Sequence, residues 1–184
     1  MDGLNECAYT SRLLICYLMK WILMSSMCIF CKILRGDLPV TIVYEDEFSL
    51  AFMDLYPMRP GHVLVIPKEH HVSIQQLSPE MRSHLFELGA AVAKAQFSSE
   101  LKCKAQNFFI NDGPDANQHV PHVHLHVLPR SGADLHKALF SFVSRYNNFF
   151  GIAEKRNRLT SIAADIKTHM PTQVVSALTS MARV

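Results

Sequence analysis

Three histidines alternate with apolar residues in the stretch His122-Val123-His124-Leu125-His126-Val127-Leu128. Alternation with a period of two is typical of a β-strand, so we expect the histidine rings on one face and the apolar side chains in a core on the other. Same-face residues lie about 7 Å apart along a strand, and the outer two rings about 13 Å apart. One bound atom therefore cannot hold all three rings, and the pattern predicts a strand whose histidines have separate roles.

Composition restricts the classes of protein to which the chain can belong. Its 184 residues are 49% hydrophobic, which is enough for one globular domain with tails. The formal net charge is only +2, which argues against a nucleic-acid or membrane-surface partner. The five cysteines are odd in number and irregularly spaced. A secreted disulfide framework is therefore disfavoured, and a cytoplasmic protein with reduced thiols is predicted.

Residues 1–27 are predicted to be an extension outside the domain. Their apolar run from Leu13 to Met24 resembles a signal segment, but Lys20 interrupts it and no small-residue cleavage site follows. The run is also shorter than a membrane-spanning helix. Two explanations remain open, export or an internal start at Met24 or Met27.

Turn and helix signals divide the rest of the chain into strands and helices. Ser78 followed by Pro79 marks a helix N-terminus, and apolar residues then recur at helical spacing. Short apolar runs predict strands at 41–44, 49–53, 62–66, 105–110 and 122–128, the last of them ended by Pro129. This order predicts an α+β domain over residues 28–130. Residues 131–184 are predicted to be a loop, a helix at 159–170 packed on the domain, and a frayed tail.

Four further blocks accompany the histidine stretch: Cys28-Ile29-Phe30-Cys31-Lys32-Ile33, Ala51-Phe52-Met53-Asp54, Pro60-Gly61-His62-Val63-Leu64-Val65-Ile66-Pro67-Lys68 and Asn111-Asp112-Gly113-Pro114. In order and spacing the five blocks resemble the histidine triad (HIT) family, from about residue 28 to residue 130. The resemblance implies a five-stranded antiparallel sheet with a central helix and a C-terminal helix. It also implies a homodimer that binds a purine nucleotide such as an AMP derivative.

The activity that the resemblance implies is hydrolysis at the α-phosphate of an AMP derivative. The substrate would be a nucleoside phosphoramidate or a dinucleoside polyphosphate, and the reaction would pass through a nucleotidyl-histidine intermediate. Two alternatives stay open. One is a nucleotidyl transferase or phosphorylase, and the other is a nucleotide-binding interaction module in which turnover is incidental.

The catalytic residues implied by the resemblance are His124 and His126. An imidazole near its ordinary pKa is a neutral nucleophile at neutral pH, and the family pattern makes His124 that nucleophile. His126 would donate a hydrogen bond to a phosphoryl or leaving-group oxygen and so stabilise developing charge.

Substrate-binding residues are implied on both sides of the nucleotide. Asp54 matches the family position whose carboxylate accepts from both ribose hydroxyls, and the alternative is a turn aspartate before Pro57. Asn111, Gln118 and the backbone amides of Asn117 and His119 would contact the phosphate. Asn117 and His119 depart from the Gly and the small hydroxyl residue that many relatives carry there. Because Asn tolerates left-handed backbone angles, we expect the loop to keep its shape.

Cys28 and Cys31 raise the question of a metal, because a Cys-x-x-Cys pair supplies half of a tetrahedral zinc site. In family members with this pair, the other ligands match His70 and His122. The resemblance therefore implies a structural zinc held by four protein ligands. The alternative is that the cysteines carry no metal and only pack an N-terminal turn.

Overall fold

The computed structural model describes residues 28–132 and 152–172, and its chain forms two compact units, Met1–Pro39 and Val40–Val184. The predicted extension at residues 1–27 lies outside the described residues. Most of the predicted loop after residue 130 and of the predicted tail also lies outside them. Within the described part of the chain, no helix is both long enough and apolar enough to span a membrane.

In the first unit, the described residues form one short helix, α1 (Ile29–Leu34), with Cys28 as its N-cap. Gly36, at φ +80°, ends it in a left-handed turn. The amide of Gly36 donates to the carbonyl of Ile33, and the amide of Asp37 donates to that of Lys32. Because these bonds satisfy carbonyls that the helix leaves open, the chain leaves α1 in a fixed direction.

The second unit contains an antiparallel sheet whose five strands, within the described residues, lie in the order β1-β2-β3-β5-β4. Their bounds are β1 (Ile42–Glu45), β2 (Ser49–Met53), β3 (Val63–Pro67), β4 (Ala105–Ile110) and β5 (Leu125–Arg130). The first three strands form a meander, and β5 pairs with both β3 and β4. The predicted α+β class and the five-stranded antiparallel sheet are confirmed.

The histidine strand differs from its prediction at both ends. It was expected over 122–128, but β5 begins at Leu125 because the backbone before it bonds elsewhere. The amide of Val123 donates to the carbonyl of His71 at 2.7 Å instead of joining the ladder. Pro129 does not end the strand, since pairing with β3 stops at Val127 and the missing amide costs no bond on that side. Only His126 of the three histidines therefore lies within a strand.

The central helix, α2 (Pro79–Ser98), begins where the sequence predicts. Ser78 caps it, accepting a hydrogen bond from the amide of Met81, and Pro79 occupies its first turn. Gly89 faces the sheet, and a Cβ there would lie 2.7 Å from Cδ2 of Leu125. The helix therefore approaches β5 more closely than any other residue at position 89 would allow.

The core lies between α2 and one face of the sheet. Its strand residues alternate along the chain, so Leu125 and Val127 enter it while His126 points to the opposite face. The C-terminal helix, α3 (Ile152–Thr168), adds side chains to the same core, namely Leu159, Ala163 and Ile166. This helix starts seven residues before its predicted position, because its first two turns are too polar to show an apolar period.

Candidate active site

His124 lies directly before β5, and the backbone two residues earlier holds its ring. Its Nδ1 is 2.8 Å from the carbonyl oxygen of His122. Because a carbonyl only accepts hydrogen bonds, Nδ1 donates and the lone pair of the neutral ring lies on Nε2. A buried imidazole held in this tautomer is suited to nucleophilic attack through Nε2.

His126 contacts three other rings, which fix its orientation. Phe109 on β4 stacks on it with ring centroids 4.3 Å apart and planes 10° apart. His62 stacks on it at 5.1 Å, and His124 meets it edge-on at 4.7 Å. The two predicted catalytic rings are therefore in contact, and His126 cannot rotate without displacing its neighbours.

A buried line of side chains leads from His126 to a carboxylate. Nδ1 of His126 lies 3.0 Å from Nε2 of His62, and Nδ1 of His62 lies 3.3 Å from Oδ2 of Asp54. The amide of Met58 also lies 3.4 Å from Nδ1 of His62. A neutral His62 has one ring N–H, so it has two arrangements: Nδ1 donates to Asp54 and Nε2 accepts from His126, or Nδ1 accepts from the amide of Met58 and Nε2 donates to His126.

Protonation of His62 makes both of its ring nitrogens donors. Nδ1 then donates to Asp54 and Nε2 donates to His126, which leaves the proton of His126 on its own Nε2. The other oxygen of Asp54 accepts from the amide of Tyr56 at 2.9 Å, so the carboxylate is fixed. Asp54, His62 and His126 can together hold a proton next to the predicted nucleophile.

The loop before the histidine stretch is held by hydrogen bonds at its own residues. Asn117 has φ +60°, so the expected left-handed conformation is confirmed. Its amide donates to the carbonyl of Pro114, and its carbonyl accepts from Nδ2 of Asn111 at 3.3 Å. The predicted phosphate contact through the Asn117 amide would therefore require that bond to be exchanged.

Gln118 joins this loop to the segment before the central helix. Its Oε1 accepts from the amide of Gly113 at 2.8 Å, and its Nε2 donates to the carbonyl of Val72 at 2.7 Å. Both ends of the amide are thus bonded to backbone. His119, the next residue, is exposed on the same loop. The roles of Asn111, Asn117, Gln118 and His119 at the phosphate stay predictions.

The predicted metal ligands in the first unit are two buried thiols, one at the N-cap and one in the first turn of α1. Burial and the neighbouring Cys28 raise the pKa of Cys31 to about 12. Without a cation this thiol stays protonated at neutral pH, whereas a bound metal ion stabilises the thiolate. The chemistry of this pair fits a soft divalent metal such as zinc.

The predicted metal ligands in the second unit are His70 and His122, whose ring centroids lie 5.2 Å apart. Nε2 of His122 donates to the carbonyl of Pro67 at 2.9 Å, which leaves Nδ1 with the lone pair. Burial lowers the pKa of His122 to about 4 and also lowers that of His70. Both rings are neutral at physiological pH, as metal ligation requires.

The pattern of fold and histidines agrees with a comparison against known families. The HIT domain model matches residues 35–133, more than half of the chain. The chain belongs to the HIT domain family. This confirms the family resemblance read from the five sequence blocks.

Curated and solved relatives support the assignment. An adenosine 5′-monophosphoramidase of Schizosaccharomyces pombe is 42% identical over 103 residues, which are 56% of this chain and 74% of that protein. An adenylylsulfatase of Arabidopsis thaliana is 35% identical, over 58% of this chain and 54% of that protein. The crystal structure of a Zn-bound histidine triad family protein from Mycobacterium smegmatis matches with a TM-score of 0.61 and 35% identity, covering 78% of this chain and 98% of that one.

Two residues of this HIT domain's candidate site were missed in the sequence. His62 was visible only as the first residue of an apolar block, and its partner His126 is 64 positions later. Phe109 has the pattern of an ordinary strand residue, yet it stacks on the ring of His126. Both act through contacts between strands that are distant in sequence, and no local pattern reports such contacts.

Proposed function

We propose that this HIT domain hydrolyses a bond at the α-phosphate of an AMP derivative, most readily the P–N bond of a nucleoside phosphoramidate. The observation that supports it is the orientation of His124, whose Nδ1 is bonded to backbone so that Nε2 carries the lone pair. The phosphoramidase activity of the S. pombe relative supports the choice of bond.

The reaction has two displacements at phosphorus. Nε2 of His124 attacks the α-phosphorus, the P–N bond breaks, and the amine leaves with a proton taken up from solvent. Water then attacks the same phosphorus and releases a proton to solvent, the bond to His124 breaks, and AMP is released. His126 donates a hydrogen bond to a phosphoryl oxygen, and the Asp54–His62 pair keeps the proton of His126 available on its Nε2.

Substrate binding involves the residues around the triad. Asp54 accepts hydrogen bonds from the ribose hydroxyls, while Asn111, Asn117, Gln118 and His119 contact the phosphate from the preceding loop. His119 is exposed on this loop, and we assign it to the leaving-group side because it stands where many relatives carry a small hydroxyl residue.

Turnover separates this proposal from its alternatives. The protein is incubated with adenosine 5′-monophosphoramidate or with a diadenosine polyphosphate, each with and without added phosphate, and the products are resolved by chromatography. Hydrolysis of either substrate yields AMP. With the phosphoramidate, ADP forms only if the protein is a phosphorylase and phosphate is present. Binding of AMP without turnover of either substrate would favour the interaction module and would defeat the proposal.

The nucleophile is tested by trapping the intermediate. Acid quenching followed by peptide mass spectrometry should place an adenylyl group on His124, and His124→Ala should lower kcat by about 10³-fold to 10⁴-fold. His169→Ala is the matched control, because this histidine lies on the surface after α3. Normal turnover by His124→Ala would exclude His124 as the nucleophile.

The proposal includes one structural zinc ion, with Cys28, Cys31, His70 and His122 as its ligands. When bound, zinc would stabilise the thiolates and restrain the N-terminal residues, and it would take no part in the phosphorus chemistry. The neutral imidazoles of His70 and His122, together with the thiols of Cys28 and Cys31, match the donor set that zinc prefers.

Elemental analysis tests the zinc. About one zinc per chain is expected, and it should be lost in Cys31→Ser but retained in Cys103→Ser, because Cys103 is a half-buried thiol outside the proposed ligand set. Wild-type protein purified without metal would refute this part of the proposal.

A second copy of the chain is the proposed partner. β4 is an edge strand, and Phe108 on it lies beside α2, which exposes Phe86 and Phe97. The side chains of Phe108, Phe86 and Phe97 are 40%, 46% and 49% exposed, respectively. Exposed apolar rings of this kind are expected on an isolated chain whose interface is uncovered. Light scattering should show a dimer that Phe97→Glu dissociates and Ile42→Glu, on the opposite edge strand, does not.

A further inference from the structure

A cavity separate from the candidate active site lies at the N-terminal turn of α2. Its volume is about 730 Å³, within the range of about 300–1,000 Å³ typical of small-molecule sites. Phe48, Pro67, Leu77 and Met81 provide apolar walls. None of the residues assigned to hydrolysis or zinc belongs to its described lining, so the proposed function does not account for it.

One wall of the cavity contains a fixed polar pair. His84 lines the cavity, and its Nε2 lies 3.0 Å from Oδ2 of Asp46, with both side chains more than nine-tenths buried. Asp46 also accepts from the amides of Phe48 and Ser49. A buried imidazole held by a carboxylate is a rigid hydrogen-bonding group, of the kind that orients a ligand in an apolar site.

The charges around the cavity favour a cation. Glu69 and Glu80 belong to its described lining, which contains no lysine or arginine. Arg82, outside that lining, donates from Nη1 to the carbonyl of the wall residue Leu77 at 2.6 Å. Hydrogen bonds from its own amide and from the Ser78 hydroxyl lower the pKa of Glu80, so it is charged at neutral pH. His71, which also lines the cavity, has its Nε2 3.3 Å from Oε2 of Glu69.

The helix N-terminus beside the cavity offers little to an anion. Pro79 has no amide proton, and the amides of Met81 and Arg82 already donate to the side chain and carbonyl of Ser78. The amide of Glu80 is bonded to its own carboxylate. The donors that usually bind a phosphate or carboxylate at a helix start are therefore engaged.

We propose that this cavity binds an apolar organic cation, an amine whose body packs against Phe48, Leu77 and Met81 while its charge faces Glu69 and Glu80. The aromatic ring of Phe48 adds a favourable surface for the cation. The site is separate from nucleotide hydrolysis, and its occupant is a small molecule.

The test uses fluorescent probes on the full chain. Dansylcadaverine carries an amine on an apolar body, its N-acetyl derivative lacks the charge, and anilinonaphthalene sulfonate is an anion of similar size. Saturable binding of dansylcadaverine is expected, with affinity about fivefold to tenfold above that of the acetylated probe. Equal or tighter binding of the anion would overturn the proposal.

Variants locate the binding. Ser83→Tyr fills the cavity from an exposed position of α2 and should weaken binding at least tenfold, whereas Ser98→Tyr, at the far end of the same helix, should not. Glu69→Gln combined with Glu80→Gln should weaken binding about fivefold, and Glu87→Gln should leave it unchanged. Circular dichroism confirms that each variant folds. Equal binding by Ser83→Tyr and Ser98→Tyr would place the probe elsewhere and refute the site.

Discussion

Two buried histidine–carboxylate pairs lie in the same domain and differ in what the second ring nitrogen meets. In the pair His62–Asp54, Nε2 of the imidazole continues to His126 at 3.0 Å, next to the proposed nucleophile. In the pair His84–Asp46, the bond at 3.0 Å joins α2 to the turn between β1 and β2, and the ring lines a cavity.

The difference shows that burial and a carboxylate partner do not by themselves make a histidine catalytic. A histidine–carboxylate pair that contacts a second imidazole can transfer a proton to it. A pair whose imidazole lies at a cavity wall can only stabilise the fold or bind a ligand. The first pair should therefore affect rate, and the second should affect stability.

The largest expected effect tests the catalytic side of this comparison. His62→Ala removes the group that orients the proton of His126, so kcat should fall about 100-fold. If His62→Ala does not fold, His62→Gln replaces it in this test, because it keeps a polar amide in the buried site. The control is His84→Ala, for which kcat should stay within about twofold. A similar loss of kcat in both alanine variants would remove the distinction.

A stability measurement tests the other side. Asp46→Ala leaves the amides of Phe48 and Ser49 and the ring of His84 without their acceptor, so the free energy of unfolding should fall by about 2 kcal/mol. Asp37→Ala removes an exposed carboxylate paired with Arg35 and should change the free energy of unfolding by less than about 0.5 kcal/mol. Urea unfolding gives both values, and a kcat that falls with Asp46→Ala would contradict the structural role.

Asp54→Asn separates two roles of one carboxylate. If Asp54 stabilises protonated His62, kcat should fall about tenfold, whereas loss of a ribose contact alone would raise KM and leave kcat unchanged. When Asp54→Asn is introduced into the His62→Gln variant, kcat should change by less than about twofold relative to His62→Gln alone. Additive effects in the double variant would show that Asp54 does not act through His62.

The smallest expected effect is the pH dependence of the structural pair. Burial acts to raise the pKa of Asp46, but the hydrogen bonds from His84, Ser49 and Phe48 outweigh it and leave the pKa below its ordinary 3.8. Its stabilisation is therefore present above pH 3.8 and is lost as the pH falls through the lower folded pKa. The difference in unfolding midpoint between wild type and Asp46→Ala should narrow below pH 3.8, and a constant difference would contradict this assignment.

Local signals in the sequence predicted much of the fold. Ser78 and Pro79 start α2 as expected, and β2 and β4 have their predicted bounds because turn residues enclose short apolar runs. The start of β5 was predicted three residues early, since the alternation continues through His122 while the amide of Val123 bonds to His71. Alternation reports which face a side chain takes, and pairing depends on a partner strand that the stretch does not contain.

The candidate site was predictable only where a motif carries it. His124 and His126 follow from the histidine stretch, and their ring contact agrees with a shared role. The part played by His62 depends on a partner 64 positions away, and the cavity beside α2 depends on residues from three separate segments. Such features arise from tertiary contacts, and a single sequence carries no local record of them.

The strand order affects how the chain reaches its native state. β3 is buried along its whole length, yet its neighbour β5 begins only at Leu125, after the central helix and β4. During synthesis the meander is therefore complete while one apolar edge of β3 still lacks its partner, and such edges invite pairing with other chains. The register that pairs Leu64 with His126 also brings His62 against His126, so the contact between these two rings depends on the same pairing that covers the edge of β3.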